Sequence, residues 1–267
     1  MSTSHLTRAA IAAGVFAAIA HGAAAQSLAD RIDRVRDADV RFTFPLRPDV
    51  CGSGQSIHWR GGRNQTNWGD RRSSRDVEYD VDCDDGPGRI VISKIDGEVS
   101  DLRFYVGGRW RRSTDAVDVG MVGAREAAAY LTTLAATNDR NPGREAIFPA
   151  TLVDSVTVWP SLMKIARDER RPRNTRTNAV FWLGQLAEEP ATAGLNDLVG
   201  ESDLDREVRE QAVFALSQRP NKEGVPSLIR IVRTNRDPEI RKKALFWLAQ
   251  SQDPRALDLI EELLSKR

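Results

Sequence analysis

The 267-residue sequence has little of the chemistry from which most active sites are built: it contains two cysteines and three histidines. His5 and His21 lie in the first 25 residues, which leaves His58 as the only histidine in the rest of the chain. Neither cysteine has a second cysteine or a histidine at metal-ligand spacing, and no motif places a nucleophile beside His58. The sequence therefore predicts no catalytic constellation, no cofactor and no metal site.

An excess of charge of either sign is also missing. Lysine and arginine together number 39, and aspartate and glutamate number 38. Arg8 is the only charged residue among the first 25, so the remainder of the chain is balanced at 38 charges of each sign. A balanced chain has no long-range attraction for nucleic acid or for an anionic membrane. We expect no nucleic-acid partner, and a steep salt dependence of DNA affinity would be needed to support one.

Long hydrophobic runs and aromatic residues are scarce. Aromatic residues make up 6% of the chain and the mean hydropathy is −0.44, which excludes a polytopic membrane protein. The longest apolar run, residues 9–20, is shorter than the roughly 20 residues that cross a bilayer, so an N-terminal membrane anchor is the weaker alternative. Small residues at 23–25 follow this run. The pattern predicts a signal peptide over residues 1–25 that is cleaved after Ala25, a periplasmic or secreted protein, and no integral membrane segment after cleavage.

Export would place Cys51 and Cys83 in an oxidising compartment, where two cysteines usually pair. Their disulfide would close a loop of about 33 residues and stabilise the fold by about 3–4 kcal/mol in the chain-entropy model. A metal-binding pair or a reactive thiol is the alternative. We expect a structural disulfide.

Residues 26–118 have the pattern of a small β-rich domain with one disulfide. A short helix is predicted over Ser27–Arg36, and Asp96-Gly97 is a two-residue hairpin turn. The Gly-rich segment Gly52–Asp70 predicts an irregular loop. Four segments with strand patterns surround these features: Val40–Leu46, Asp76–Cys83, Arg89–Lys94 and Glu98–Val106.

The acidic residues near Cys83 have a spacing that loosely follows a calcium-binding loop. Asp80, Asp82 and Asp84 alternate, but the glycine falls one position late and Val91 stands where such a loop needs a glutamate. We interpret these residues as the solvated face of a strand.

The C-terminal half contains an internal repeat with a spacing of 32–33 residues. Each unit has two amphipathic helices, and a repeat of this length predicts an α-solenoid of about four units over residues 139–267, preceded by a connecting helix over residues 119–138. In the earliest unit, Pro149 falls inside the first helix and should kink it or shift its start. The first helices align at Arg176–Gln185, Arg209–Gln218 and Arg241–Gln250, and the second helices at Trp159–Arg167, Leu195–Val199, Leu228–Val232 and Ile260–Leu264.

At these residues the sequence resembles a known family. Asp205-x-x-Val-Arg209-x-x-Ala and Asp237-x-x-Ile-Arg241-x-x-Ala are similar to HEAT repeats of the short bacterial type, including the HEAT-like repeats of phycobilisome lyases. The resemblance covers about residues 139–267. It implies a ladder of aspartate and arginine between adjacent repeats, with structural roles for these four residues. It implies no lyase chemistry, because HEAT arrays mostly bind proteins.

Arg176 matches the ladder arginine of the repeat before Asp205. Pro172 stands where that repeat should have its aspartate, which leaves the first rung of the ladder open. The expected architecture is therefore α+β by modules, a small β-rich N-terminal domain followed by an all-α HEAT-like α-solenoid.

The second helices of HEAT arrays usually line the concave side, so we expect a binding surface there. Counting along the second helices gives a column of exposed positions with alternating charge, which suits a protein or peptide partner. The sequence does not predict the oligomeric state. The partner-binding candidates are Lys164, Asp197, Arg230 and Glu262.

Two hypotheses about function follow. The first is an exported, non-enzymatic interaction or scaffold protein that binds a partner on the concave face of the solenoid. The alternative is a cell-envelope enzyme, hydrolase-like, with a site between the loop 52–70 and the solenoid. In that case His58 with Asp70 or Asp76 would supply acid–base chemistry.

Two further patterns in the repeats are interpreted as structural. Gln185, Gln218 and Gln250 end the first helices and are expected to hydrogen-bond the turns that follow. The aromatic positions of the same helices are expected to pack between repeats: Phe181, Trp182, Phe214, Phe246 and Trp247.

The last helix, Pro254–Ser265, is predicted to cap the array. Leu257, Ile260, Leu263 and Leu264 form one apolar stripe that should be buried. The opposite side is polar, as a terminal repeat requires.

Overall fold

The computed structural model describes residues 26–59, 83–111, 115–186 and 188–265. The predicted signal peptide lies outside the described residues. So do residues 60–82, which include most of the predicted loop, nearly all of the predicted strand Asp76–Cys83, and Asp70, Asp80 and Asp82.

The N-terminal part of the described chain is built on a four-stranded sheet in the order β5-β4-β1-β6. Strands β4 and β5 pair antiparallel, as do β1 and β4, whereas β6 joins β1 in parallel. A separate antiparallel pair is formed by β2 and β3. The strands are β1 (Asp39–Phe44), β2 (Val50–Ser53), β3 (Ser56–Trp59), β4 (Gly88–Ile95), β5 (Glu98–Val106) and β6 (Val117–Met121).

The turn between β4 and β5 is the tight hairpin that the sequence predicts. Asp96 and Gly97 both adopt positive φ, 53° and 83°, the combination that matches the right-handed twist of the flanking strands. Alternation along β4 then buries Ile90 and Ile92 on one face of the sheet.

The prediction of an irregular loop from Gly52 onward is wrong for its first part. Residues 50–59 form the β2–β3 hairpin, which turns at Gly54, where φ is 71°. Cys51 and Cys83 are disulfide-bonded, as predicted, and the adjacent residues Gly52 and Asp84 exchange backbone hydrogen bonds. The disulfide thus ties this hairpin to the chain that enters β4.

Helix α1 (Leu28–Asp33) packs on α2 (Ala124–Thr137), which covers the apolar face of the sheet. The rings of Phe42 and Tyr130 meet edge to face with centroids 6.1 Å apart. The connecting helix predicted from residue 119 begins only at Ala124, because Val119 and its neighbours belong to β6.

The remaining helices form four successive pairs, here called repeats 1 to 4. Repeat 1 has a first helix that is broken at Ala146, within one turn before Pro149, as expected for a proline that cannot donate to the preceding turn. Repeat 1 contains α3 (Asn141–Glu145), α4 (Ile147–Thr151) and α5 (Trp159–Arg167); repeat 2, α6 (Arg173–Gln185) and α7 (Glu189–Gly200); repeat 3, α8 (Arg206–Ser217) and α9 (Val225–Thr234); and repeat 4, α10 (Pro238–Gln250) and α11 (Pro254–Ser265).

Adjacent repeats pack in a regular way. Each second helix contacts the first helix of the next repeat, α5 on α6, α7 on α8 and α9 on α10, and the first helices also contact one another. Gly184 permits the close approach of α6 and α8, because a Cβ there would lie 2.8 Å from the Cβ of Ala215. This stacking is the nearest-neighbour arrangement of an α-solenoid.

The sheet and repeat 1 share a continuous core. Leu46 forms a bridge with Val153, and the backbone N–H of Arg47 donates to the carbonyl of Leu152 at 3.0 Å. Helix α3 packs on β5. One edge of the array is therefore covered by the N-terminal module. Among the described helices, none is both long and apolar enough to span a membrane.

Candidate functional site

Aromatic side chains form a continuous row from the sheet to the last repeat, here called the aromatic row. Its two closest ring pairs are Phe148–Trp182, with centroids 4.4 Å apart, and Phe214–Trp247, 4.8 Å apart. Between these pairs, the rings of Phe181 and Phe214 stack at 6.4 Å. The members of the row in spatial order are Phe104, Phe148, Trp182, Phe181, Phe214, Trp247 and Phe246.

The row follows from helical spacing in the first helix of each repeat. Phe181 and Trp182 occupy the centre of one face of α6, with Asn178 and Gln185 before and after them on the same face. The same positions of α8 and α10 place further rings between polar side chains. The flanking residues there are Gln211 and Gln218 in α8, and Lys243 and Gln250 in α10.

The side chains of the row differ in exposure. Trp182 is buried, Phe181, Phe214 and Trp247 are partly exposed, and Phe246 is 53% exposed. The aromatic positions predicted to pack between repeats do stack on one another. Part of their ring surface is also exposed to solvent. The prediction of a purely structural role did not include this exposure.

A cleft of about 370 Å³ lies where the aromatic row meets the N-terminal module. Its walls combine Ile57 of β3 with Phe104, Phe148 and Trp182. Glu145 also lines it, and burial raises the pKa of this carboxyl, while Arg144 opposes the shift. This cleft, here called the junction cleft, joins the two modules and continues into the aromatic row.

A second cleft, of about 800 Å³, lies on the face of the sheet away from α2 and is rich in arginine. Three of its guanidinium groups have partners within the fold: Arg41 bonds Asp118 at 2.9 Å, Arg89 donates to the carbonyl of Gly107 at 2.8 Å, and Arg103 pairs with an aspartate.

The predicted column on the second helices lies on the surface, and two of its members link neighbouring repeats. Arg230 donates to Asn196 at 2.7 Å, and Glu262 accepts from Arg233 at 2.6 Å. Lys164 and Asp197 are exposed. This face is polar and its charges are partly paired, whereas the centres of protein interfaces are depleted in charge and enriched in aromatic side chains.

The ladder residues lie between consecutive repeats. Arg176 of repeat 2 pairs with Asp205, the N-cap of α8 in repeat 3. Arg209 of repeat 3 pairs with Asp237, the N-cap of α10 in repeat 4, at 3.1 Å. Each arginine thus reaches forward to the next repeat.

This forward direction explains how the ladder tolerates Pro172. An aspartate at position 172 would face repeat 1, which has Gly143 at the position of the ladder arginine, so Pro172 leaves the bond from Arg176 to Asp205 intact. Arg241, the ladder arginine of repeat 4, donates to the backbone carbonyls of Asn235 and Arg236 at 2.8 and 3.1 Å.

Of the residues in the enzyme hypothesis, the structure describes only His58. His58 lies opposite Cys51 in the β2–β3 hairpin and does not line the junction cleft, while Asp70 and Asp76 lie outside the described residues. Asp84 accepts a hydrogen bond from the backbone of Gly108 at 2.9 Å. Within the described ranges, no group of three histidine, cysteine, aspartate or glutamate residues is placed to hold a metal ion.

The predicted role of the glutamines in the turns is seen only in a modified form. Gln218 donates to the hydroxyl of Ser217 at 3.1 Å, within its own turn. Gln250 is exposed. The glutamines flank the aromatic row as polar groups. The sequence could have predicted this arrangement, because aromatic and glutamine residues recur at matching positions of successive repeats.

Comparison with known proteins supports the repeat assignment. The family model for HEAT repeats matches residues 198–267, which span repeats 3 and 4 and the end of repeat 2. Residues 198–267 are therefore similar to HEAT repeats, in agreement with the sequence resemblance. The search of curated proteins gave no match.

Proposed function

We propose that the protein is a non-enzymatic interaction protein that holds a protein or peptide partner along the aromatic row. HEAT-like repeats generally mediate protein–protein interaction. The observation that supports this particular surface is the row itself, aromatic rings that pack on one another across three successive repeats, with Phe246 53% exposed. Rigid aromatic side chains dominate the binding energy of many interfaces.

The chemistry of the row defines the partner. Side-chain amides at Asn178, Gln185 and Gln211 flank the rings and can both donate and accept hydrogen bonds. A segment that offers aliphatic or aromatic side chains to the rings and backbone amides to these flanking groups fits both features. The balanced charge of the chain gives no reason to expect a polyanion.

The proposal includes export to the periplasm or the medium. The N-terminal pattern supports export, and the Cys51–Cys83 disulfide is of the kind that persists in an oxidising compartment. Cell fractionation followed by N-terminal mass analysis is the direct test. A mature protein beginning at Gln26 is expected, and a cytosolic protein that retains residues 1–25 would contradict this part.

Site-specific photo-crosslinking in living cells tests the binding surface. A photo-reactive amino acid at Gln211, beside the row, should give a reproducible adduct with one polypeptide, and Phe246→Ala should reduce that adduct at least tenfold. The same probe at Asp197, on the second-helix face, is the matched control. Crosslinking from Asp197 with none from Gln211 would move the binding surface to the column of Lys164, Asp197, Arg230 and Glu262 and overturn the proposal.

The junction cleft is the one observation that favours the enzyme alternative. It lies between the β2–β3 hairpin and the repeats, where that hypothesis placed a site, and it contains Glu145 with a raised pKa. Such a carboxyl suits general-acid chemistry. A hydrolase screen decides this: activity lost in Glu145→Gln but kept in Phe246→Ala would support an enzyme.

A further inference from the structure

The outer face of the sheet, away from α2, carries the second cleft, of about 800 Å³, here called the arginine cleft. Its position follows from strand alternation, because Val40 and Phe42 of β1 are buried and Arg41 between them points to the opposite face. In the register of the sheet Arg41 lies beside Val91, and Val91 lies beside Arg103. The arginines that line the cleft are Arg41, Arg89, Arg103, Arg109 and Arg111.

The chain after β5 turns back toward this face. Gly107 and Gly108 both adopt positive φ, 67° and 69°, a conformation that favours glycine. Arg89 donates to the carbonyls of these two glycines at 2.8 and 2.6 Å. The turn is followed by Trp110, whose ring centroid lies 5.2 Å from the guanidinium carbons of both Arg41 and Arg89.

Two arginines of the sheet are paired with carboxylates and the third is not. Arg41 bonds Asp118 at 2.9 Å, and Arg103 bonds Asp39 at the same distance. Arg89 is partly buried, donates to neutral carbonyls, and forms no ion pair with a described residue. Burial lowers the pKa of the Arg89 guanidinium, because its charge is partly desolvated. An anion in the cleft would supply the missing counter-charge.

The two arginines of the turned-back segment are available to a ligand. Arg109 and Arg111 are exposed, and their guanidinium groups make no hydrogen bond or ion pair with the described residues. Among the lining aspartates, Asp39 is paired and Asp37 accepts a backbone hydrogen bond at 2.7 Å, which leaves Asp115 to offset three guanidinium groups. The cleft therefore has a local excess of positive charge in a chain whose total charge is nearly balanced.

The lining side chains define the chemistry of a ligand. Guanidinium groups bind carboxylate and phosphate oxygens through paired, charge-assisted hydrogen bonds. Val91, Tyr105 and Trp110 add apolar and aromatic surface to the same cleft. Ligand pockets of about 300–1,000 Å³ typically hold small organic molecules, so the volume of this cleft suits more than a bare ion.

We propose that the arginine cleft binds an organic oxyanion, a small molecule that carries a carboxylate or a phosphate group on an apolar or aromatic body. The oxyanion contacts the guanidinium groups of Arg89, Arg109 and Arg111, and the body lies against Tyr105 and Trp110. The cleft belongs to the N-terminal module and lies apart from the aromatic row. The inference therefore adds a second binding site to the proposed function and does not rest on it.

Titration of the purified protein with phenyl phosphate and with benzoate tests this site by calorimetry and tryptophan fluorescence. We expect at least one of the two to bind with a dissociation constant below about 1 mM. The tighter ligand identifies phosphate or carboxylate as the preferred group. Trp110→Phe should remove most of the fluorescence change, and benzyl alcohol, which has no charge, should not bind.

Variants of the exposed arginines provide the decisive comparison. A chain with both Arg109→Gln and Arg111→Gln should bind at least about tenfold more weakly, because charge-assisted hydrogen bonds are lost. Its melting temperature should be unchanged, since neither side chain is bonded within the described fold. Arg125→Gln, an exposed arginine of α2, is the matched control and should leave binding unchanged.

Two results would overturn the proposal: no binding of either anion up to about 10 mM, or binding that the double variant leaves undiminished. Inorganic phosphate that binds as tightly as phenyl phosphate would overturn the assignment of an organic body. These results are independent of crosslinking from Gln211, so failure of this site and failure of the proposed function are distinguishable.

Discussion

Replacing Arg209 with alanine removes the guanidinium that joins repeats 3 and 4. Its side chain is 9% exposed, its Nη1 donates to Asp237 at 3.1 Å, and its Nε donates to the carbonyl of Val199 at 3.3 Å. The variant therefore loses a charge-assisted hydrogen bond and a second bond, and it leaves a carbonyl without its donor.

The expected cost follows from these contacts. Breaking a buried ion pair by removing one partner costs about 3–5 kcal/mol. The lower end applies here, because Asp237 keeps a hydrogen bond from the backbone N–H of Glu239 at 3.0 Å and is 18% exposed. We expect a loss of about 3 kcal/mol, or roughly 6–12 °C in the melting temperature.

Arg230→Ala is the matched control, since Arg230 is an exposed arginine of the same repeat whose described bond is to Asn196. A change of about 0–1 kcal/mol is expected there. Circular dichroism melts and urea titrations of both variants measure the difference. A double-mutant cycle of Arg209→Met with Asp237→Asn then isolates the pair, and a coupling energy near zero, or equal melting temperatures for the two alanine variants, would refute the ladder argument.

Three further predictions concern other parts of the fold. A Cβ at Gly224 would lie 1.8 Å from the backbone oxygen of Leu216, so we expect Gly224→Ala to lower the free energy of unfolding, measured by urea titration, by more than about 2 kcal/mol. At Gly200 no atom lies within 4 Å of an added Cβ, so Gly200→Ala should be neutral or stabilise the fold by up to about 1 kcal/mol. Reduction of the disulfide, which spans 32 positions, should cost about 3–4 kcal/mol, and an unchanged melt of the reduced protein would contradict a stabilising role. Hydrogen bonds and charge from Arg255 lower the pKa of Asp253 to about 2. The contribution of Asp253 to stability should therefore be complete above about pH 4 and lost as the pH falls toward 2. Asp253→Asn should flatten the pH dependence of the free energy of unfolding in this range.

Local patterns predicted the parts of the fold that depend on neighbouring residues. The β4–β5 hairpin is set by Asp96-Gly97, and the repeat helices by a spacing that recurs along the chain. Such features need only the residues within one element or one turn. The kink near Pro149 was predictable for the same reason.

Features that depend on distant partners were missed. Strand β6 is mostly exposed and has no buried face that sequence alternation could reveal, so only its pairing with β1 makes it a strand. Arg219 is another example. It is fully buried, burial lowers its pKa, and it donates to the carbonyls of Leu186 and Glu188 in the preceding repeat. The other repeats have Val153, Leu186 and Ser251 at its position, so no repeat pattern marked it.

The rings of the candidate surface were visible in the sequence, where they were interpreted as packing between repeats, and they do pack on one another. Rings at matching positions of the first helices predict packing and a binding surface equally well, and only exposure distinguishes the two. Phe246 is 53% exposed, whereas Phe181 and Phe214, at the same position of α6 and α8, are only partly exposed. For the same reason the leucines of α11 looked like a buried stripe from helical spacing alone.

The two edges of the array differ in a way that gives the solenoid a direction. At the repeat 1 edge, the N-terminal module covers α3 and α4. The ring centroids of Phe104 in β5 and Phe148 are 5.7 Å apart, and backbone hydrogen bonds join residues 45–47 to residues 152–154. The module thus covers this end of the array, as a capping repeat does. At the repeat 4 edge, Leu257, Leu263 and Leu264 of α11 are 62%, 38% and 65% exposed, so the prediction of a buried stripe that caps the array is wrong. Because Arg176 and Arg209 each reach forward to the N-cap aspartate of the next repeat, the ladder runs in one direction, from the covered edge toward repeat 4.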